Sequence, residues 1–260
     1  MPLRIEQLAG ALQRGLSPVY LFGGTEPLLV QECRDQVWNA AREQGFLERE
    51  LHQVDRSFDW SSLDQAGASG SLFASRKIID LRLPTGKPGR EGAKALIEWV
   101  AEPDPDCMLV VSCDQWDASS RKSKWAGVLE KAGIRVDIWP VTARDLPGWI
   151  NNRMRAVGLE PHREAVMILA ERLEGNLLAA RQEIEKLLLL KGQGAVSEED
   201  VLQAVADRSR FDAFLLVERV LAGNLADSLR VATGLHRTGV PLQMIMGALY
   251  RDLRILENFK

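Results

Sequence analysis

Four short apolar runs, separated by helix-like stretches, constrain this chain more than any other feature. They are residues 18–22 (PVYLF), 77–83 (KIIDLRL), 108–112 (MLVVS) and 134–139 (IRVDIW), with helical spacing at 28–42, 92–101 and 122–132. Strands alternating with helices at this spacing require a mostly parallel sheet covered on both faces. The first 140 or so residues are therefore predicted to form one α/β domain.

The first run leads into Gly23-Gly24-Thr25-Glu26-Pro27 and then into a helical pattern. This is strand, tight loop, helix, with Thr25 as the expected N-cap and Pro27 in the first turn, where a missing N–H costs nothing. Such a unit is where nucleotide-binding domains cradle phosphate. A GxxxxGK[ST] loop starting at Gly23 needs Gly-Lys-Ser/Thr at Leu28, Leu29 and Val30; starting at Gly24 it needs them at Leu29, Val30 and Gln31. Neither register supplies a lysine for the phosphates or a hydroxyl for Mg²⁺. Gly23 and Gly24 thus read as a degenerate P-loop or a plain turn. Asp80 and Asp114, at strand ends where a metal-binding acid would sit, read as solvated.

Composition narrows the function classes further. Among 260 residues, 33 Lys and Arg face 36 Asp and Glu, giving a net charge of −3, which disfavours a plain DNA-binding protein held by charge alone. Cys33, Cys107 and Cys113 match no CxxC pair, and His52, His162 and His236 have no ligand-spaced neighbour, so no metal site is predicted. The cysteines read as buried apolar residues of a reducing, cytoplasmic compartment. No apolar stretch approaches the ~20 residues of a membrane span, and no GxSxG, HExxH or similar catalytic signature occurs.

After Trp139-Pro140 the strand signals stop. Helical spacing covers 146–157, 164–173, 177–191 and 197–206, the last opened by the acidic turn Ser197-Glu198-Glu199-Asp200. A second all-helical stretch runs from about 211 to the end, where the pattern of Leu242, Ile245, Met246, Leu249, Leu253 and Ile255 is still in progress at Lys260. An amphipathic face needs something to bury it, so the expectation is a helical domain of which this is part. Arg121, Lys122 and Lys124, with Trp125, Lys131 and Arg135, form the one locally basic stretch and read as a solvated face or a phosphate-facing one.

Residues 65–70 (QAGASG) precede Ser71-Leu72-Phe73-Ala74-Ser75. A Leu-Phe pair at the end of a small-residue segment serves either as core beneath the KIIDLRL strand or as an anchor inserted into a partner's apolar pocket. Pattern alone favours the core.

Blocks in fixed order alter that balance. VYLFGGTEPLLVQE, SLFASRKIIDLRLP, LVVSCDQWDASSRKSKW, LPGWINNRMRAVGLEPHREAVMILAERLEGNLLAARQEIEKLLLL and VSEEDVLQAV together resemble the delta subunits of the bacterial DNA polymerase III clamp loader, over almost the whole chain. The resemblance implies an AAA+-like (RecA-like) α/β domain with a parallel sheet at 1–140, a small helical lid-like domain at 141–208 and part of an all-α collar at 209–260. It implies a subunit without ATPase activity or cofactor that binds the sliding clamp (beta subunit) and opens its ring for loading on primed DNA. Its other implied partners are the motor and delta-prime type subunits of the loader and primer-template DNA; no membrane is involved. The clamp-binding element falls on Ala68, Ser69, Gly70, Ser71, Leu72 and Phe73, where Leu72 and Phe73 match the family's closing Leu-Phe. Ala68 stands where such peptides commonly carry Gln, and Gly70 where a larger apolar residue occurs. The resemblance makes Leu72 and Phe73 an exposed anchor. The rival expectation is an ATP-hydrolysing clamp-loader motor or helicase-loader-type ATPase, which would need the missing phosphate lysine.

Overall fold

The computed structural model describes residues 2–63, 76–173, 176–209 and 213–221, together with 223–225, 227–229, 232, 233, 246 and 250. Two compact units divide the chain at Met1–Pro140 and Val141–Lys260.

The first unit is built on a parallel five-stranded sheet of order β2-β3-β4-β1-β5: β1 (Val19–Gly24), β2 (Phe46–Gln53), β3 (Arg76–Arg82), β4 (Cys107–Cys113) and β5 (Ile134–Ile138). Its helices are α1 (Leu8–Arg14), α2 (Pro27–Glu43), α3 (Gly89–Trp99), α4 (Ala118–Arg121) and α5 (Lys124–Ala132). The fold is α/β with a parallel sheet, as the resemblance implies. β1 and β4 are buried at every position, as strands covered on both faces must be. Val19, Leu21, Leu81, Leu109 and Val111 meet Leu96, Trp99, Trp125 and Leu129 of α3 and α5 on one face. The other face carries α2, whose Cys33 and Val37 are buried; α2 packs against β1 and β2.

Three differences from the sequence reading have physical reasons. β2 carries no apolar run because it is an edge strand on which only Phe46 is buried, so FLERELHQ hides its strand character. The 122–132 helix starts only at Lys124, as α5, because Ser123 has extended backbone and caps it, and a separate short α4 precedes it. The N-cap of α2 is Glu26 and not Thr25, with Pro27 in the first turn as expected.

In the second unit α6 (Leu146–Ala156), α7 (Arg163–Leu173), α8 (Leu177–Lys191), α9 (Glu198–Ser209) and α10 (Ala213–Leu221) follow the predicted periodicity. Strand signals do not quite stop, however: β6 (Leu159–Pro161) pairs in parallel with β7 (Gly194–Val196). Three residues are too few for alternation to register in a sequence. Asn176 caps α8 by accepting the Ala179 N–H at 3.0 Å.

The acidic turn at α9 works as a reciprocal cap. Asp200 accepts from the Ser197 N–H at 2.9 Å and hydroxyl at 2.8 Å, and its second oxygen takes Lys191 Nζ at 2.5 Å. The lysine contact and the two serine donors lower the Asp200 pKa to about 2. A folded-state value below the unfolded one adds stability above the unfolded pKa, which is lost as pH falls through the folded value. The second unit is therefore expected to lose stability on acidification from about pH 4 to about pH 2. Asp200→Asn should flatten that part of the acid-unfolding profile followed by circular dichroism.

Candidate functional site

In an open α/β sheet, ligands bind at the carboxyl ends of the strands where the strand order reverses, which here is the end of β1 between β4 and β5. Gly23 and Gly24 lie there as the last residues of β1, opposite Cys113 of β4 and Asp137 and Ile138 of β5. They belong to the strand and not to a loop. Only Thr25 and Glu26 separate the strand from α2, which leaves no chain to wrap around phosphates.

The glycines serve close packing. A Cβ on Gly23 would lie 2.2 Å from the Trp116 ring, and one on Gly24 would lie 2.1 Å from the Ile138 carbonyl oxygen. Trp116 is fixed over the strand end by a hydrogen bond from its indole N–H to Asp137 Oδ1 at 2.8 Å and by an edge contact with Trp125, the ring centroids 5.9 Å apart. Asp137 also accepts both Nε and Nη2 of Arg135 at 2.9 Å. Arg135 in turn donates to Glu130 at 2.9 Å and to the Arg121 carbonyl at 3.1 Å, and its guanidinium lies 5.2 Å from the Trp116 ring centroid. Two acids, one arginine and two tryptophans thus brace the carboxyl edge of β1 and β5.

At the amino end of α2, Pro27 contributes no N–H and Glu26 brings a carboxylate to the position where a phosphate would gain from the helix dipole. Loss of solvent raises the Glu26 pKa, partly offset by the nearby Leu28 amide. With an apolar residue at either lysine position, an acid at the helix N-terminus and Trp116 against Gly23, these residues do not fit a triphosphate.

The other sequence candidates fare unequally. Asp114 is exposed as expected, but Asp80 is 1% exposed and takes Arg49 Nη2 at 2.6 Å; a partner 31 residues away makes that burial invisible to a sequence reading. The basic stretch divides likewise: Lys122 and Lys124 are exposed, whereas Arg135 is only 7% exposed and Trp125 is core. Arg121 stacks on Trp139 with its guanidinium 4.7 Å from the ring centroid. Ala68, Ser69, Gly70, Ser71, Leu72 and Phe73 lie outside the described residues. Among the described residues no cluster of three His, Cys, Asp or Glu could hold a metal, and no helix is long and apolar enough to cross a membrane.

Sequence reading missed Trp116 and Asp137. The i, i+2 spacing of Arg135 and Asp137 on a strand places both on one face, and that was the available signal.

All three cysteines are buried and free. Burial raises Cys33 to about 12, with the Glu32 charge adding to it, and Cys107 to about 11; it also raises Cys113. Since the thiolate is the nucleophile, a thiol reagent such as Ellman's should label none of these cysteines rapidly in native protein and all of them in denaturant. Rapid labelling of native protein would contradict the burial.

Comparison with known proteins decides the relationship. The family model "DNA polymerase III, delta subunit" matches residues 20–138. The DNA polymerase III subunit delta of Escherichia coli (strain K12) is 31% identical over 255 residues, covering 98% of this chain and 74% of that protein. The chain belongs to the DNA polymerase III delta-subunit family. The Haemophilus influenzae subunit delta is 32% identical over 251 residues, covering 95% of this chain and 73% of the relative. Among solved structures, the Bacillus subtilis DNA clamp loader delta protein superposes with a TM-score of 0.65 at 20% identity, over 96% of this chain and 76% of that one, and so shares the delta-family fold.

Proposed function

We propose that the chain is a clamp-loader delta subunit that binds the sliding clamp and opens its ring, so that the ring can be loaded on primed DNA during replication. The observation carrying this reading is family membership along nearly the whole chain. The filled carboxyl edge of β1 supports the other half of it: the chain works without an ATP site or cofactor of its own, and energy enters through neighbouring motor subunits. Leu72 and Phe73 are the residues assigned to the clamp. Motor and delta-prime type subunits and primer-template DNA are its further partners, in the cytoplasm.

Mechanically, a subunit of this kind acts by differential binding. A clamp with equal affinity for it in closed and open forms would not open, whatever the strength of the contact. Burying two large apolar side chains contributes roughly 3 to 6 kcal/mol before ordering costs. That is enough to shift a ring between states if the open form accepts the pair better.

The test is a titration of purified clamp with this chain in nucleotide-free buffer. A saturable complex is expected, unchanged by added ATP. No complex, or one that forms only when the chain itself has bound ATP, would overturn the proposal.

A further inference from the structure

The α2 face of the sheet gathers three arginines around one acid. Arg49 Nη2 lies 2.6 Å and Arg82 Nη2 3.8 Å from Asp80 Oδ2, while Arg34 of α2 reaches Ser112 Oγ at 3.4 Å. Arg49 also lies over Trp38, its guanidinium 5.6 Å from the ring centroid. With Asp35, whose charge also acts on Arg34, the three arginines and two acids carry a surplus of one positive charge. Burial, with the charges of Arg82 and Arg49, draws the Arg34 pKa below its ordinary value against the opposing effect of Asp80.

Hydrogen bonding within the cluster is incomplete. Arg34 Nε, Arg82 Nε and Asp80 Oδ1 are buried without a partner, and each such group in a folded protein calls for an explanation. A cavity of about 10 Å³ bounded by Arg34, Trp38, Arg49 and Asp80 has room for about one water and none for a larger ion. The surplus charge therefore has to be met at the rim. The rim is open: the side chain of Arg82 is 38% and that of Arg49 29% exposed, and Leu51, the register partner of Asp80 on the edge strand, is 53% exposed.

We propose that Arg34, Arg49 and Arg82 form a phosphate-binding site at the exposed rim of the α2 face beside β2 and β3, on the far side of β4 from the closed end of β1. Planar guanidiniums match the oxygen geometry of a phosphate, which also supplies the balancing negative charge. Asp80 holds Arg49 in place and keeps the empty site from accumulating three uncompensated charges. The ligand is either a free phosphate or phosphomonoester, or the backbone of a nucleic acid. The site is independent of the clamp-binding reading and stands or falls without it.

The test follows the arginine Nε–H resonances of the full chain by NMR during titration with sodium phosphate, with sodium chloride at matched ionic strength as reference. Saturable shifts of the Arg34 and Arg82 signals, absent with chloride, are expected. Arg82→Gln, at a partly exposed position, should weaken phosphate binding about tenfold, the loss of one charge-assisted contact. An oligothymidylate titration separates the sources: if it moves the same signals and loses affinity in Arg82→Gln, the ligand is a nucleic-acid backbone, and if only phosphate does so, it is a free phosphate or monoester. Equal shifts with chloride, unmoved arginine signals, unchanged binding by Arg82→Gln, or shifts produced only by an acidic peptide such as polyglutamate would each overturn the proposal.

Discussion

The Leu72→Ala/Phe73→Ala double variant is expected to bind the sliding clamp about a hundredfold more weakly than the unaltered chain, with its own thermal unfolding unchanged. The estimate takes the lower end of the transfer free energy of two large side chains, about 3 kcal/mol, because ordering costs consume part of the gross gain. The two readouts distinguish the two roles this pair can have. An anchor exposed in the free protein costs affinity and not stability when truncated. A core pair costs stability, roughly 2 to 5 kcal/mol for each residue, through the cavity it leaves. Equilibrium titration against clamp together with a melting curve decides between them. Wild-type affinity with a lowered melting temperature would return Leu72 and Phe73 to the core and remove them from the clamp contact.

Gly23→Val is expected to destabilise the first unit strongly. Its Cβ would fall 2.2 Å from the Trp116 ring, which cannot withdraw without breaking its hydrogen bond to Asp137 and its contact with Trp125. Overpacking of this kind costs about 3 kcal/mol at the upper end of the usual range. A unit of this size should then melt roughly 10 °C lower. Gly127→Ala is the matched control, since a Cβ there meets nothing within 4 Å in the middle of α5. It should gain about 0.5 to 1 kcal/mol, the ordinary helix preference of Ala over Gly. Opposite signs at two glycines in the same unit would localise the effect to the Trp116 contact; equal small effects would show that Trp116 does not close the strand end.

How far the sequence discloses this molecule depends on how local each determinant is. β1, β3, β4 and β5 carry runs of buried apolar residues, and α2 carries its proline and its spacing, so the α/β alternation is legible without coordinates. β2 is not legible, because an edge strand exposed at most of its positions has no burial pattern to display. The missing phosphate lysine is likewise legible, since its position relative to Gly23 and Gly24 is fixed by short spacing.

What takes the place of a phosphate site is not legible. Trp116 reaches Gly23 across 93 residues, and Asp80 is buried against Arg49 of the neighbouring strand, 31 residues away. A charged residue looks solvated in a sequence until its counter-charge is located in space. Leu72 and Phe73 pose the opposite difficulty: their assignment comes from resemblance across ordered blocks and not from any local signal of their own.

The central claim is that a chain with a closed strand end, and no nucleotide of its own, opens a ring by holding it. Its most direct measurement places a donor and an acceptor fluorophore across one interface of the sliding clamp and adds this chain in nucleotide-free buffer. A saturable fall in energy transfer that Leu72→Ala/Phe73→Ala abolishes is the predicted result. Unchanged transfer when the clamp is saturated with the chain, or a fall that appears only after the chain binds ATP, would contradict the account.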